Sequence, residues 1–288
     1  MTRADEPTSA ATHAVHVHTL RTASVSDAAM ASAEALLSTG ERARADRFHF
    51  AHDRRQHVLL SALARRALAR AVGGDDALAR EIVFSTGERG RPEIAGPAEL
   101  QGMRFNLSKT AGLVVCAVTE ALDIGIDVEN LARMIDVCEV APVVLHARER
   151  DELAHMRGDA RRLWFLKLWT LKEAYAKARG LGLYLPVEHL AFSFDDDGVV
   201  AHFDSIIDDD PRAWSFRHLA PTATHQLAVV VAATTRPLDV TLIDAASLFD
   251  LGALRAHAPP ARRNGSASPS VPSPSVRSHP FEVTHGNS

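Results

Sequence analysis

The 288 residues carry 32 lysines and arginines against 36 aspartates and glutamates, a formal net charge of −4, and only two cysteines. That balance argues against a general nucleic-acid binder, which presents a basic surface. The scarce, well-separated cysteines argue against a disulfide framework and suit a reducing compartment, and the length is ample for an enzyme-sized core.

From the N-terminus, Asp5 and Glu6 sit among small polar residues where an export signal needs a basic start and an apolar stretch, so the expected location is the cytoplasm. Apolar runs such as Leu227 to Ala233 fall far short of the roughly 20 residues a membrane helix requires. Val15, Val17 and Leu20 alternate with His16 and His18 as in a strand, and Ser26 and Asp27 can cap an alanine-rich helix to about Leu37. The two histidines lack a third ligand and are read as edge residues, not as a metal site.

Glu41 to Ala71 reads as helical, with Leu59, Leu60, Leu63, Leu68 and Val72 on one stripe. Arg42, Arg44, Arg47, Arg54 and Arg55 form either a solvated face or a landing site for phosphate. Strand-like pieces follow at Ile82 to Ser85, Arg104 to Leu107, Leu113 to Thr119 and Ile124 to Val128. Helices are predicted from Ala147 to His155 and from Arg161 to Arg179, the latter ended by Gly180.

Ala191 to Phe194 and Val199 to Phe203 flank Asp195-Asp196-Asp197-Gly198 as a hairpin; the turn lacks the glutamate of a calcium loop. Strands near Trp214 to His218, Gln226 to Val231 and Val240 to Ile243 complete the pattern. The expected fold is α+β, with two pseudo-symmetric halves at residues 1–121 and 122–255, each a small antiparallel sheet packed with helices. Residues 256–288, rich in Pro, Ser, Ala, Arg and Gly, read as a disordered tail.

Two features carry chemistry. Asp127 and Glu129 stand two apart at the end of a strand, so both carboxylates share a face, an arrangement that a hard divalent cation relieves. Glu173 and Lys177 share a helix face at i and i+4. Each pair alone is also what an ordinary solvated strand end or helix ion pair looks like.

Together with their neighbours they form a pattern. Phe105-Asn106-Leu107-Ser108, Gly125-Ile126-Asp127-Val128-Glu129, Trp169-Thr170-Leu171-Lys172-Glu173-Ala174-Tyr175-Ala176-Lys177 and Gly180-Leu181-Gly182-Leu183 occur in that order. At roughly 5–10% background usage per residue type, so many fixed positions do not arise by chance. The sequence resembles the Sfp-type 4'-phosphopantetheinyl transferases from about Arg42 to Val231.

The resemblance implies coenzyme A bound between two α/β halves and Mg²⁺ held by Asp127, Glu129 and Glu173. Lys172 and Lys177 would neutralise phosphate charge, with Lys177 nearest the leaving group. Ser108, Lys109 and Arg91 would meet coenzyme A, and one or more of Arg44, Arg47 and Arg54 its 3'-phosphate. Gly90-Arg91-Pro92 stands where the family usually has Gly-Lys-Pro, a mild change. Lys109 replaces a family histidine, which keeps a charge but loses the imidazole edge.

The implied reaction transfers phosphopantetheine from coenzyme A to a serine of an acyl or peptidyl carrier protein, with Glu173 as the expected base. The family's pseudo-dimeric form implies a monomer, and the acidic net charge and short apolar runs lead us to expect neither nucleic acid nor membrane as partner. Lys109 leaves open a non-catalytic relative that binds coenzyme A or a carrier domain, and the arginine run a nucleic-acid binder, which the acidic net charge disfavours.

Overall fold

Alternating side chains build the first strand. In the computed structural model, which describes residues 12–87, 90–233 and 237–250, His13–Arg21 (β1) buries Val15 and Val17 on one face and His18 and Leu20 on the other. Ser26 accepts a hydrogen bond from the Ala29 N–H and starts Asp27–Leu36 (α1) where its side chain predicts.

The segment read as one helix from Glu41 to Ala71 is two. Ser38 and Glu41 cap each other reciprocally at the start of Thr39–Ala45 (α2), and the chain turns before Ala51–Ala71 (α3) begins. Glu41 also accepts from Arg65 of α3 at 2.7 Å, so the short helix is strapped across the long one. The apolar stripe belongs to α3, and periodicity alone does not mark the break.

The chain continues through Asp76–Glu81 (α4), Val83–Thr86 (β2), Pro92–Gly96 (β3), Met103–Thr110 (β4), Leu113–Glu120 (β5) and Ile124–Asn130 (β6). Then come Val137–Val144 (α5), Ala147–Ala154 (α6), Gly158–Ala178 (α7), Leu190–Asp195 (β7), Gly198–Phe203 (β8), Trp214–Thr222 (β9), His225–Ala232 (β10) and Leu238–Asp244 (β11). No expectation from the sequence covers β3, α4 or α5. All three are short, and α5 contains Pro142, which ordinarily argues against a helix.

One sheet runs β11-β1-β5-β4 and a second β6-β10-β9, with β2-β3 and β7-β8 as separate hairpins. Pairing is antiparallel except that β11 lies parallel to β1, so a strand from late in the chain completes the first sheet. α3 covers one face of the first sheet, and α7 covers one face of the second. Val15, Val17, Val115 and Ala117 meet Ile126, Val128, Leu227 and Val229 in a shared core between the sheets. The fold is α+β, with small sheets packed against helices.

β4 and β6 are edges of different sheets, and side chains join them. Asn106 Oδ1, Ser108 Oγ and Thr110 Oγ1 accept hydrogen bonds from the N–H groups of Ile126, Val128 and Asn130 at 3.0, 3.3 and 3.2 Å. Alternate residues of a strand face one way, so three short polar side chains satisfy donors that a neighbouring strand's carbonyls would otherwise take. The tail read at residues 256–288 lies outside the described residues. Among those described, no helix is long and apolar enough to cross a membrane.

Candidate active site

Gly125 decides how closely α7 approaches β6. A Cβ there would fall 1.9 Å from the Ala174 carbonyl oxygen and 2.4 Å from the Ala178 nitrogen, so a glycine is required. The close approach brings Lys177 of α7 onto Asp127 of β6. Its ammonium donates to Asp127 Oδ1 at 2.7 Å, the Ile126 carbonyl at 3.1 Å and Ser108 Oγ at 3.3 Å.

Asp127 and Glu129 are each 6% exposed. Ser108 Oγ donates to Asp127 Oδ1 at 2.9 Å and Thr110 Oγ1 to Glu129 Oε2 at 3.3 Å, so the β4 ladder that fixes the β6 backbone also fixes both acids. Asp127 Oδ2 is buried with no hydrogen-bond partner. Arg133 pairs with Glu129 Oε1.

Burial, and then the charge of Asp127, push the Glu129 carboxyl above its ordinary range, against the pull of Arg133. Glu173 is raised by the same two causes, opposed by Lys177 and Arg133. Two carboxyls raised by one neighbour mark a site where negative charge is crowded. Even so, among the described residues no group of three or more His, Cys, Asp or Glu is placed to hold a metal ion. Lys177 and Arg133 stand against Asp127 and Glu129, and the Asp127 charge reaches both Glu129 and Glu173.

Four residues expected to meet coenzyme A have partners within the protein. Lys172 is 1% exposed, and its ammonium is bound by Glu149 Oε2 at 2.7 Å and by the Val187 and Leu190 carbonyls. Burial pushes its pKa down to about 8 despite Glu149. Glu149 in turn accepts from the Phe192 and His146 N–H groups, so this buried pair ties α7 to α6 and β7.

Arg91 donates to the carbonyls of Ala178 at 3.2 Å and Ile124 at 3.1 Å, capping the last turn of α7. Arg54 is neutralised by Glu34 at 2.7 Å and Asp46 at 3.6 Å. Ser108 is spent on Asp127, Lys177 and the Val128 N–H, which makes it a positioning residue.

Lys109 lies beside an aromatic pair: its Nζ is 5.3 Å from the Phe48 ring, which is 5.3 Å from the His57 ring. His57 is held below its usual pKa by burial first and further by the charges of Arg44 and Lys109, which places both cations beside it. Arg44, Arg47 and Lys109 are exposed. Sequence reasoning missed Arg133, Glu149 and the roles of Asn106 and Thr110; only Arg133, four residues past Glu129, left a readable signal.

Known proteins resemble both parts of the chain. The family model "4'-phosphopantetheinyl transferase, N-terminal" matches residues 24–121, and "4'-phosphopantetheinyl transferase superfamily" matches residues 123–231. The 4'-phosphopantetheinyl transferase HetI of Nostoc sp. is 34% identical over 52% of this chain and 62% of its own length. A Bacillus subtilis 4'-phosphopantetheinyl transferase is 33% identical over 58% of this chain and 70% of its own. Sfp of Bacillus subtilis strain 168 is 28% identical over 72% and 87%. The match thus spans under two thirds of the first of these relatives and more of the other two. With adjoining models from residue 24 to 231 and a one-third identity across most of a relative's length, the chain belongs to the 4'-phosphopantetheinyl transferase superfamily.

Proposed function

We propose that the protein transfers 4'-phosphopantetheine from coenzyme A to a serine hydroxyl of an acyl or peptidyl carrier protein, releasing adenosine 3',5'-bisphosphate. The observation that carries this reading is the buried acid pair Asp127 and Glu129, with Lys177 bonded to Asp127 at 2.7 Å and Glu173 on the same helix one turn away. Phosphoryl transfer asks mainly for positioning and charge stabilisation, and this cluster supplies both.

Mg²⁺ fits the acids. The unpartnered Asp127 Oδ2 and the raised Glu129 carboxyl are what a hard cation satisfies, and Mg²⁺ takes one or two carboxylates plus phosphate oxygens and water. Two protein ligands, Asp127 and Glu129, therefore suffice, and Glu173 is left for proton transfer. When bound, the ion stabilises charge on the phosphoryl oxygens.

The chain's own residues do the rest. The serine oxygen attacks the β-phosphorus, the bond to the bridging oxygen breaks, and the bisphosphate leaves with that electron pair. Lys177 holds phosphate charge beside Asp127. Glu173, one helical turn from Lys177 and with its carboxyl raised by burial and by Asp127, takes the serine proton. Lys109 and Arg44, beside Phe48 and His57, together with the exposed Arg47, are the groups we assign to the 3'-phosphate; Lys109 supplies a point charge there.

We read residues 1–121 and 122–255 as two halves of one monomeric enzyme, with β11 of the second half crossing over to complete the first sheet, because β4 and α7 of a single chain complete the cluster. Cys116 and Cys138 are both free thiols, in keeping with action in the cytoplasm. Calorimetric titration with coenzyme A tests the reading. Binding in Mg²⁺ should weaken by about tenfold or more in EDTA or on Asp127→Asn substitution, roughly 1.4 kcal/mol. Binding that is absent, or indifferent to both changes, contradicts it.

A further inference from the structure

With Lys172 buried against Glu149, the site lacks one of the two cations expected on the phosphates. Arg133 stands where a replacement is needed. It follows β6 in a turn in which the Ala132 N–H donates to Asn130 Oδ1 at 2.8 Å and the Arg133 N–H to the Asn130 carbonyl at 2.9 Å. Its guanidinium pairs with Glu129 and lies 5.5 Å from the Trp169 ring, and its charge is felt by both Glu129 and Glu173.

Two contrasts with Lys177 give Arg133 its character. Lys177 is held by three acceptors, whereas the Arg133 side chain is 40% exposed and, among the described residues, its side-chain hydrogen bond is to Glu129 alone. An ammonium also acts as a point charge, whereas a guanidinium has five donors in a planar fork suited to two phosphate oxygens, and its flat face rests on aromatic rings.

We infer that Arg133 is an exchangeable cation of this site: it competes with the divalent metal for Glu129 and, once displaced, turns on Trp169 to bind the non-bridging pyrophosphate oxygens of coenzyme A. This rests on the functional reading above. The inference predicts effects of opposite sign from one substitution. Removing the guanidinium frees Glu129 for the metal, so metal affinity rises; it also removes a phosphate ligand, so coenzyme A affinity falls. A merely structural role lowers both.

The test uses Arg133→Gln and Arg133→Lys in the full chain, with Mn²⁺ binding read from the electron paramagnetic resonance of the free ion, without coenzyme A. Coenzyme A affinity is then measured at saturating Mn²⁺. Arg133→Gln should bind Mn²⁺ roughly threefold to tenfold more tightly and coenzyme A about tenfold more weakly. Arg133→Lys should fall between it and wild type in coenzyme A affinity, keeping the charge but not the fork.

Unchanged or weakened Mn²⁺ binding by Arg133→Gln, in protein whose circular dichroism matches wild type, overturns the inference. If that variant does not fold, Arg133→Lys with wild-type affinity for coenzyme A overturns it instead. A wild-type protein that binds neither Mn²⁺ nor coenzyme A overturns the functional reading and this inference with it. A wild type that binds both, with variants that match it, overturns this inference alone.

Discussion

Lys172 and Lys177 sit five residues apart on α7, and at 3.6 residues per turn that separation turns them about 140° away from each other. Glu173 and Lys177, four apart, share a face and border the acid cluster; Lys172 looks into the packing between α7, α6 and β7. The spacing was legible in the sequence, but a family pattern that treats both lysines alike hides it. Replacing Lys172 with Met should leave Glu149 buried without its partner and cost about 3–5 kcal/mol of stability. Denaturant unfolding checks this, and coenzyme A affinity of the folded fraction should match wild type. A stable variant with weakened coenzyme A binding would return Lys172 to the phosphates.

At the scale of elements, α7 was readable from its 3.6-residue period and its end at Gly180, β6 from the alternation of Ile124, Ile126 and Val128, and β5 and β10 from short continuous apolar runs buried on both faces. The join between β4 and β6 was not. Asn106, Ser108 and Thr110 alternate with apolar residues just as solvent-facing residues do, and nothing local says that their partners are the N–H groups of another sheet's edge. Arg91 shows the same limit: a basic residue beside a proline reads equally as a phosphate ligand or as a cap on a distant helix, and the Ala178 carbonyl that decides is 87 residues away.

Gly125 is where strand and helix constrain each other most tightly. Gly125→Ala puts a methyl group where the Ala174 carbonyl lies, so α7 must shift away from β6. Overpacking of this kind costs about 1–3 kcal/mol and occasionally more. Because Lys177 and Glu173 ride on the same helix, turnover should fall by more than the loss of folded protein explains. Thermal melts alongside steady-state rates test this; a variant of wild-type stability and rate would show that α7 has slack the packing does not reveal.

For the whole molecule, two sheets share one apolar core, and the acid cluster lies where their edges meet. The first sheet contributes Ser108 and Thr110, the second Asp127 and Glu129, and α7 contributes Glu173 and Lys177. The shared faces of Asp127 with Glu129 and of Glu173 with Lys177 were legible from spacing, but their reading as one site came from the family resemblance. The pairing of Arg133 with Glu129, and the partners that hold Lys172, Arg91 and Arg54, depend on tertiary contacts that no local pattern records.

The central claim is chemical: the cluster moves phosphopantetheine from coenzyme A to a carrier serine. Intact-mass spectrometry of apo acyl and peptidyl carrier proteins, incubated with the enzyme, coenzyme A and Mg²⁺, measures it most directly. The account predicts a mass gain of one phosphopantetheine per carrier, with adenosine 3',5'-bisphosphate as the other product, and loss of that gain with Asp127→Ala. Carriers that keep their apo mass while the protein binds coenzyme A, or a gain that persists in the Asp127→Ala variant, would contradict it.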